Sequence, residues 1–143
     1  MIKQQTEQRF AETWELDSLL PHPDTPAFDA TLTKFRTDLA ALADDSDRLP
    51  PVAATSAASS AWGEFLKRYE TISAAASDLA SFVSCHAAAD AQNKRFQQLE
   101  GVLASFEPNK ERIATNVDLA VRDVDLATLD RFAAGNPTLA ENA

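Results

Sequence analysis

The sequence has 143 residues, 45% of them hydrophobic and 24% charged, which is enough to bury one helical core and predicts a single domain, 1–143. Twenty-two acidic against thirteen basic side chains give a formal net charge of −9, and such a chain repels nucleic-acid phosphates and anionic lipid headgroups. We therefore expect neither a nucleic acid nor a membrane among its partners.

Composition and the lack of a recognisable targeting segment bound the fold class and the expected location. With only three glycines in the chain, helix is the favoured backbone state over most of the sequence. Neither a signal peptide nor a membrane-spanning apolar stretch is evident, so we expect a cytoplasmic protein. Cys85 is the single cysteine, which excludes an intrachain disulfide and a thiolate-rich zinc site.

The first predicted helix follows a proline-rich stretch, residues 21–26, which interrupts any helix through that region. Thr25 and Pro26 are typical of a helix start, as N-cap and first helical residue. An apolar stripe then predicts a long helix, which ends at the acidic residues 44–47. The stripe consists of Phe28, Leu32, Phe35, Leu39 and Leu42.

A second and longer helix is predicted by a broad apolar stripe that continues past Gly63. Its members are Trp62, Phe65, Leu66, Tyr69, Ile72, Ala76, Leu79, Phe82 and Val83. The many alanines in this stretch permit close approach of a neighbouring helix, so we expect the two long helices to pair antiparallel.

The rest of the chain continues the helical pattern in shorter stretches. Pro108 predicts a kink or a break after a third stripe, and residues 135–137 stop a short last helix. The stripes are, in order, Phe96, Leu99, Val102, Leu103 and Phe106; Ile113, Val117, Ala120, Val121 and Val124; and Leu126, Leu129 and Phe132. The predicted fold is therefore all-α, an antiparallel bundle of three to five helices, one or two of them long, after a flexible stretch 1–13.

Few residues are suited to catalysis. His22 lies between prolines in a predicted loop, where we expect a solvated or packing side chain. Cys85 and His86 are neighbours on the second helix, where adjacent side chains point about 100° apart and do not form a pair. As a free cysteine, Cys85 is expected to pack as a small, buried or partly buried hydrophobe. Two histidines so far apart in the sequence do not supply a metal site.

The aspartates and serines also have structural interpretations. Neither aspartate cluster, residues 44–47 or 118–125, contains the twelve-residue calcium loop, so we expect solvated helix ends and helix starts. The serines lack both a glycine elbow and a paired histidine, which argues against a serine hydrolase. They are Ser59, Ser60, Ser73, Ser77, Ser81 and Ser84. The sequence thus predicts no catalytic, cofactor-binding or metal-binding residue in this chain.

Several segments resemble one peptidase family. Residues 14–28, WELDSLLPHPDTPAF, resemble the tryptophan–acid–leucine and proline-rich opening of M3-family oligoendopeptidases, the oligoendopeptidase F group. Tyr69 with Glu70, and residues 82–90, FVSCHAAAD, followed by Asn93, are similar to part of the family's N-terminal helical region. Residues 136–140, NPTLA, resemble a connector before the family's next helix. The sequence departs from the family at Pro108 and at Phe82, where tyrosine is usual.

The resemblance implies the noncatalytic N-terminal helical domain of a larger zinc metalloendopeptidase. In that family a His-Glu-x-x-His helix and a further glutamate hold the zinc ion in a later region, and this sequence contains no such motif. The chain alone is therefore expected not to be an enzyme, and the zinc cofactor to belong to a missing C-terminal catalytic domain. The helices would wall the cleft of the parent enzyme and limit its substrates to short peptides.

Two other interpretations remain open at this point. A self-contained helical bundle could serve as a protein-interaction module that binds a partner helix in an exposed groove. A standalone metalloenzyme is the third, although its inventory of metal ligands is small. If the chain is a fragment, an apolar stripe exposed by truncation would favour self-association.

Overall fold

The computed structural model describes residues 18–140, and no strand occurs among them. Five helices are followed by a single helical turn: α1 (Pro26–Ser46), α2 (Ser56–Ala89), α3 (Lys94–Ala104), α4 (Glu107–Val121), α5 (Leu126–Ala134) and α6 (Pro137–Ala140). The predicted all-α bundle is confirmed. The predicted flexible stretch 1–13 and Trp14 lie outside the described residues.

Helix α1 begins where the sequence predicts. The hydroxyl of Thr25 accepts a hydrogen bond from the amide of Phe28, and Pro26 occupies the first turn, where its missing N–H interrupts no helical hydrogen bond. Every member of the predicted apolar stripe is buried. The helix ends at Ser46, within the acidic cluster that was expected to stop it.

Helix α2 is a single helix of 34 residues that continues through Gly63. It runs antiparallel to α1, as predicted, because Phe28 at the start of α1 stacks on Phe82 near the end of α2, while Asp45 near the end of α1 binds Arg68 in the first half of α2. Although α2 is long, neither it nor any other described helix is apolar enough over a sufficient length to cross a membrane.

Pro108 separates two helices instead of bending one. Helix α3 ends at Ala104, and Pro108 falls in the first turn of α4, the position where proline is best tolerated. Helix α3 packs on α2 and α4 packs on α1. Because α4 ends at Val121, Val124 lies in the turn before α5 and does not continue the apolar face of α4.

The last two helical segments fold back onto α2. The carboxylate of Asp125 caps α5 by accepting a hydrogen bond from the amide of Thr128. Helix α5 ends before Gly135, as predicted. The stretch that resembles a connector forms the single turn α6, which begins at Pro137.

Two groups of buried side chains fill the interior. The large core lies among α1, α2, α3 and α4, and it contains Phe28, Leu32, Phe35, Leu39, Leu42, Ala43, Phe65, Leu79, Phe82, Val83, Phe96, Leu99, Phe106 and Ile113. The small core lies between the first turns of α2 and the α5–α6 segment, and it contains Val52, Ala58, Trp62, Phe132 and Leu139. Leu49, Leu66 and Val117 pack against both cores and join them.

Candidate functional site

Two of the segments that resemble the peptidase family meet in the structure, although they are far apart in the sequence. The ring centroids of His22, in the proline-rich stretch, and His86, in the last turns of α2, lie 5.2 Å apart. The ring of Phe82 lies 4.6 Å from that of His86, and Phe96 of α3 lies 5.4 Å from it. The two histidines, far apart in the sequence, are therefore neighbours in space. We call His22, Phe28, Phe82, His86 and Phe96 the ring junction.

Hydrogen bonds hold the proline-rich stretch in place at the ring junction. The Nδ1 atom of His22 accepts a hydrogen bond from the amide of Asp24 at 3.2 Å. Arg95 of α3 donates to the carbonyl of Pro23 at 3.4 Å and also binds the carboxylate of Asp29. The loop is thus tied to both α1 and α3, which fixes the rings as packing partners.

The ring junction does not contain the ligand set of a zinc peptidase. Within residues 18–140, no three His, Cys, Asp or Glu side chains converge as a metal site would require. Cys85 is exposed, which corrects the expectation that it is buried or partly buried. The reason is its register, since Phe82, Val83 and His86 face the interior and Cys85 points outward between them.

The acidic end of α1 is bound by a neighbouring helix. Arg112 of α4 donates to the carboxylate of Asp44 at 3.2 Å and to that of Asp47, and Asn116 donates to Asp47 at 2.8 Å. Hydrogen bonds from Arg112 and then from Asn116 hold the pKa of Asp47 below its usual value. The cluster is a helix end, as predicted, but its carboxylates also bind side chains of α4.

The second aspartate cluster also stabilises helix ends. Asp118 pairs with Arg122 one turn later in the chain, at 2.5 Å. Asp125 accepts hydrogen bonds from the hydroxyl and the amide of Thr128, which lower the pKa of this carboxyl below its usual value. Both arrangements agree with the predicted helix ends and helix starts.

Ser59 has a structural role that the sequence did not reveal. Its hydroxyl donates to the carbonyl of Phe132 at 3.0 Å, and the side-chain amide of Asn136 donates to the carbonyl of Ser59 at 3.3 Å. A Cβ atom on Gly63, one turn later, would lie 2.5 Å from the Nδ2 atom of Asn136. The spacing of two small residues, Ser59 and Gly63, one helical turn apart could have indicated this contact in the sequence. Their small side chains let the α5–α6 connection approach α2 closely.

An open seam runs between α1 and α2, and no residue of α3–α6 lines it. It consists of two cavities of about 370 and 220 Å³, which share Asp38, Thr71 and Ile72. Phe35 and Leu79 contribute the apolar lining of the smaller cavity. We call this feature the α1–α2 seam, and it is the kind of groove that an interaction module offers to a partner.

Comparison of the chain with known protein families, with curated proteins and with solved structures gives no match. A function therefore has to be argued from the chemistry and packing of the chain's own residues. Those residues provide a ring junction, a bound acidic cluster and an open seam, and each of them consists of packing or ion-pairing groups.

Proposed function

We propose that this chain is the noncatalytic N-terminal helical domain of an oligoendopeptidase F-like M3 zinc metallopeptidase. The ring junction is the observation that carries the proposal. The two segments concerned pack on each other through His22 with His86 and through Phe28 with Phe82. Residues that resemble a family because of shared packing are expected to touch, and this contact supports a structural origin of the likeness.

In this proposal the helices shape a cleft and perform no chemistry. Zinc bound to the catalytic domain would polarise the scissile carbonyl and activate a water molecule there, and no residue of this chain is assigned as a ligand, acid or base. The antiparallel α1–α2 pair, supported along its length by the large core, provides a stiff wall. Such a wall beside the cleft admits short peptides and excludes folded proteins, and we place the parent enzyme in the cytoplasm.

The test begins with the coding sequence beyond Ala143. The expected result is a downstream His-Glu-x-x-His motif, and a longer protein that cleaves short fluorogenic peptides in a chelator-sensitive manner. The isolated chain should cleave none of these peptides, with or without added zinc. A reading frame that lacks the motif would contradict the proposal, and so would chelator-sensitive cleavage by the chain alone.

A self-contained interaction module is the second candidate, and one surface favours it. Leu119, Val121 and Leu126 at the corner between α4 and α5 are exposed by 55%, 36% and 79%. Exposed apolar side chains are what a protein-interaction site offers to a partner. In the peptidase proposal this corner would face the missing catalytic domain, whereas in the module it would bind a separate protein.

Size-exclusion and pull-down measurements on the isolated chain separate the two candidates. A defined complex that forms without any peptidase domain, and is lost in Leu126→Asp, would favour the module. Concentration-dependent sedimentation that Leu126→Asp abolishes would instead indicate self-association through this corner, as a truncated peptidase domain predicts.

A further inference from the structure

Two charges of opposite sign lie at the two ends of the α1–α2 seam. Lys67 lines the larger cavity and Asp78 lines the smaller one, and both residues are exposed. Within residues 18–140, neither of them forms an ion pair. The other charged side chains that line the seam are paired within the fold, Lys34 with Asp38 and Arg68 with Asp45. A surface that fits the seam should therefore place an acidic group opposite Lys67 and a basic group opposite Asp78.

The outer face of α2 between these two charges is symmetric in its spacing. Four exposed residues follow one another at intervals of four, three and four positions, and they therefore lie along one line of the helix: Lys67, Thr71, Ala74 and Asp78. From end to end the line is about three helical turns, or about 16 Å, long. The two residues in its middle are small, which lets another helix approach closely.

A second copy of α2 that runs in the opposite direction presents the required charges in the required order. With a twofold axis at the middle of the line, Lys67 of one copy faces Asp78 of the other, and Thr71 faces Ala74. The axis repeats each contact, so both free charges of both copies find a partner. The second helix would also cover Ile72, a partly buried apolar side chain that lines both cavities of the seam.

We propose that the α1–α2 seam is the interface of a twofold-symmetric dimer, in which the α2 helices of two copies pack antiparallel and Lys67 pairs with Asp78 across the interface. The formal net charge of −9 on each chain opposes nonspecific association, so the two opposite charges on α2 select the register of the contact. This inference does not depend on the proposed function, because it concerns only how two copies of the chain meet.

Charge reversal in the full chain, followed by sedimentation equilibrium, tests the proposal. Lys67→Glu or Asp78→Lys alone turns both symmetric attractions into repulsions, and either variant should weaken dimerisation about tenfold or more. Lys94→Glu and Asp123→Lys are the matched controls, because they change the net charge by the same amounts at exposed positions outside the seam. Asp78→Lys is the sharper variant, since it reduces the net negative charge of the chain and should nevertheless weaken the dimer.

An equimolar mixture of the two seam variants gives the most specific measurement. In a mixed dimer, each position 67 faces a charge of the opposite sign at position 78 of the other copy. The mixture should therefore dimerise with about the affinity of the wild type, although each variant alone does not. Native mass spectrometry with one variant isotopically labelled identifies the mixed dimer.

Three results would overturn the proposal. A wild-type chain that stays monomeric up to about a millimolar would leave the seam to a different partner. Dimerisation that both seam variants leave unchanged would place the contact elsewhere, and its loss in Leu126→Asp would assign it to the α4–α5 corner. A mixture that remains monomeric would mean that Lys67 and Asp78 do not face each other. Circular dichroism of every variant establishes that the helices remain formed.

Discussion

The large core draws its side chains from four helices, whereas the small core depends on one tryptophan and a few polar contacts. In the large core, periodic apolar stripes face each other, and almost any complementary set of large hydrophobes would bury the same surface. In the small core, Trp62 packs edge-on against Phe132, and its Nε1 atom donates to the carbonyl of Pro50 at 2.9 Å. The small core is thus specified by individual contacts, and the large core by the periodic spacing of its apolar residues.

This difference teaches where each region is vulnerable. Loss of a large side chain should cost most in the large core, because the lost transfer free energy adds to the cost of a cavity among several helices. An added side-chain atom should lower the free energy of unfolding most near the small core, because the α5–α6 connection lies close to Ser59 and Gly63. Substitutions in the two regions can therefore distinguish the cost of lost side-chain volume from the cost of a changed side-chain shape.

The largest effect is expected for Phe28→Ala. Phe28 is 0% exposed and stacks on Phe82 at a centroid distance of 5.8 Å, so the substitution should lower the free energy of unfolding by about 3–5 kcal/mol. Urea unfolding followed by circular dichroism measures it. Leu126→Ala, at a position 79% exposed, is the control and should change the free energy by less than about 0.5 kcal/mol.

The same experiment reports whether the two cores unfold together. In a Trp14→Phe background, the fluorescence of Trp62 follows the small core alone. Because Leu49, Leu66 and Val117 join the cores, the fluorescence midpoint of Phe28→Ala should fall together with the dichroism midpoint. A fluorescence midpoint that stays at the original value would show that the small core is an independent unit.

Smaller changes in stability, opposite in sign to each other, are expected when two glycines are replaced by alanine. Gly63→Ala places a Cβ atom 2.5 Å from the Nδ2 atom of Asn136, so the Asn136 side chain must turn aside and lose its hydrogen bonds to Ser59 and Thr138. The substitution should therefore destabilise the protein by about 1 kcal/mol. Gly101→Ala in α3 meets nothing within 4 Å and should stabilise by about 0.5–1 kcal/mol through helix propensity. Thermal unfolding compares them, and equal shifts of the same sign would show that the close approach at Gly63 is unimportant.

Ser59→Ala removes a polar contact of the small core and should cost about 1 kcal/mol, because the carbonyl of Phe132 loses its hydroxyl donor in a buried place. Ser60→Ala is a matched control, since it gains the same helix propensity at an exposed position of the same helix. The difference between the two midpoints in urea isolates the hydrogen bond. If both variants are stabilised equally, the Ser59 hydroxyl adds nothing to the small core.

Most of the large core could be predicted from the sequence, because helical periodicity determines which face is buried. Phe28, Leu39 and Leu42 follow a spacing that no other regular structure shares, and each is 0% or 1% exposed. Thr25 and Pro26 likewise predict a helix start from local geometry alone. Such features need no knowledge of the remainder of the chain.

The contacts between distant segments could not be predicted in the same way. The approach of His22 to His86 depends on how the proline-rich stretch turns over the end of α2, and the hydrogen bond from Asn136 to Ser59 depends on the path of the α5–α6 connection. The exposure of Cys85 was predicted wrongly because residue type outweighed its helical register. Helical periodicity and helix caps can be recognised in a single sequence. The path of a connecting segment across a helix cannot, because it depends on contacts between residues far apart in the chain.

The smallest expected effect is a dependence of stability on pH at the surface of the large core, where Asp47 joins α1 to α4. The pKa of Asp47 lies below its usual value of 3.8, so its ionised form stabilises the fold above that pH, and the contribution is lost as the pH falls through the lower pKa of the folded state. The advantage of the wild type over Asp47→Asn should therefore be full near neutral pH, fade in acid and shrink with added salt. Urea midpoints measured at several pH values check this, with Asp123→Asn as the control. Since both Asp47 and Arg112 face solvent, the advantage should stay below that of the buried Ser59 hydroxyl, and a larger one would mean that exposed ion pairs, and not side-chain fit, hold the helices together.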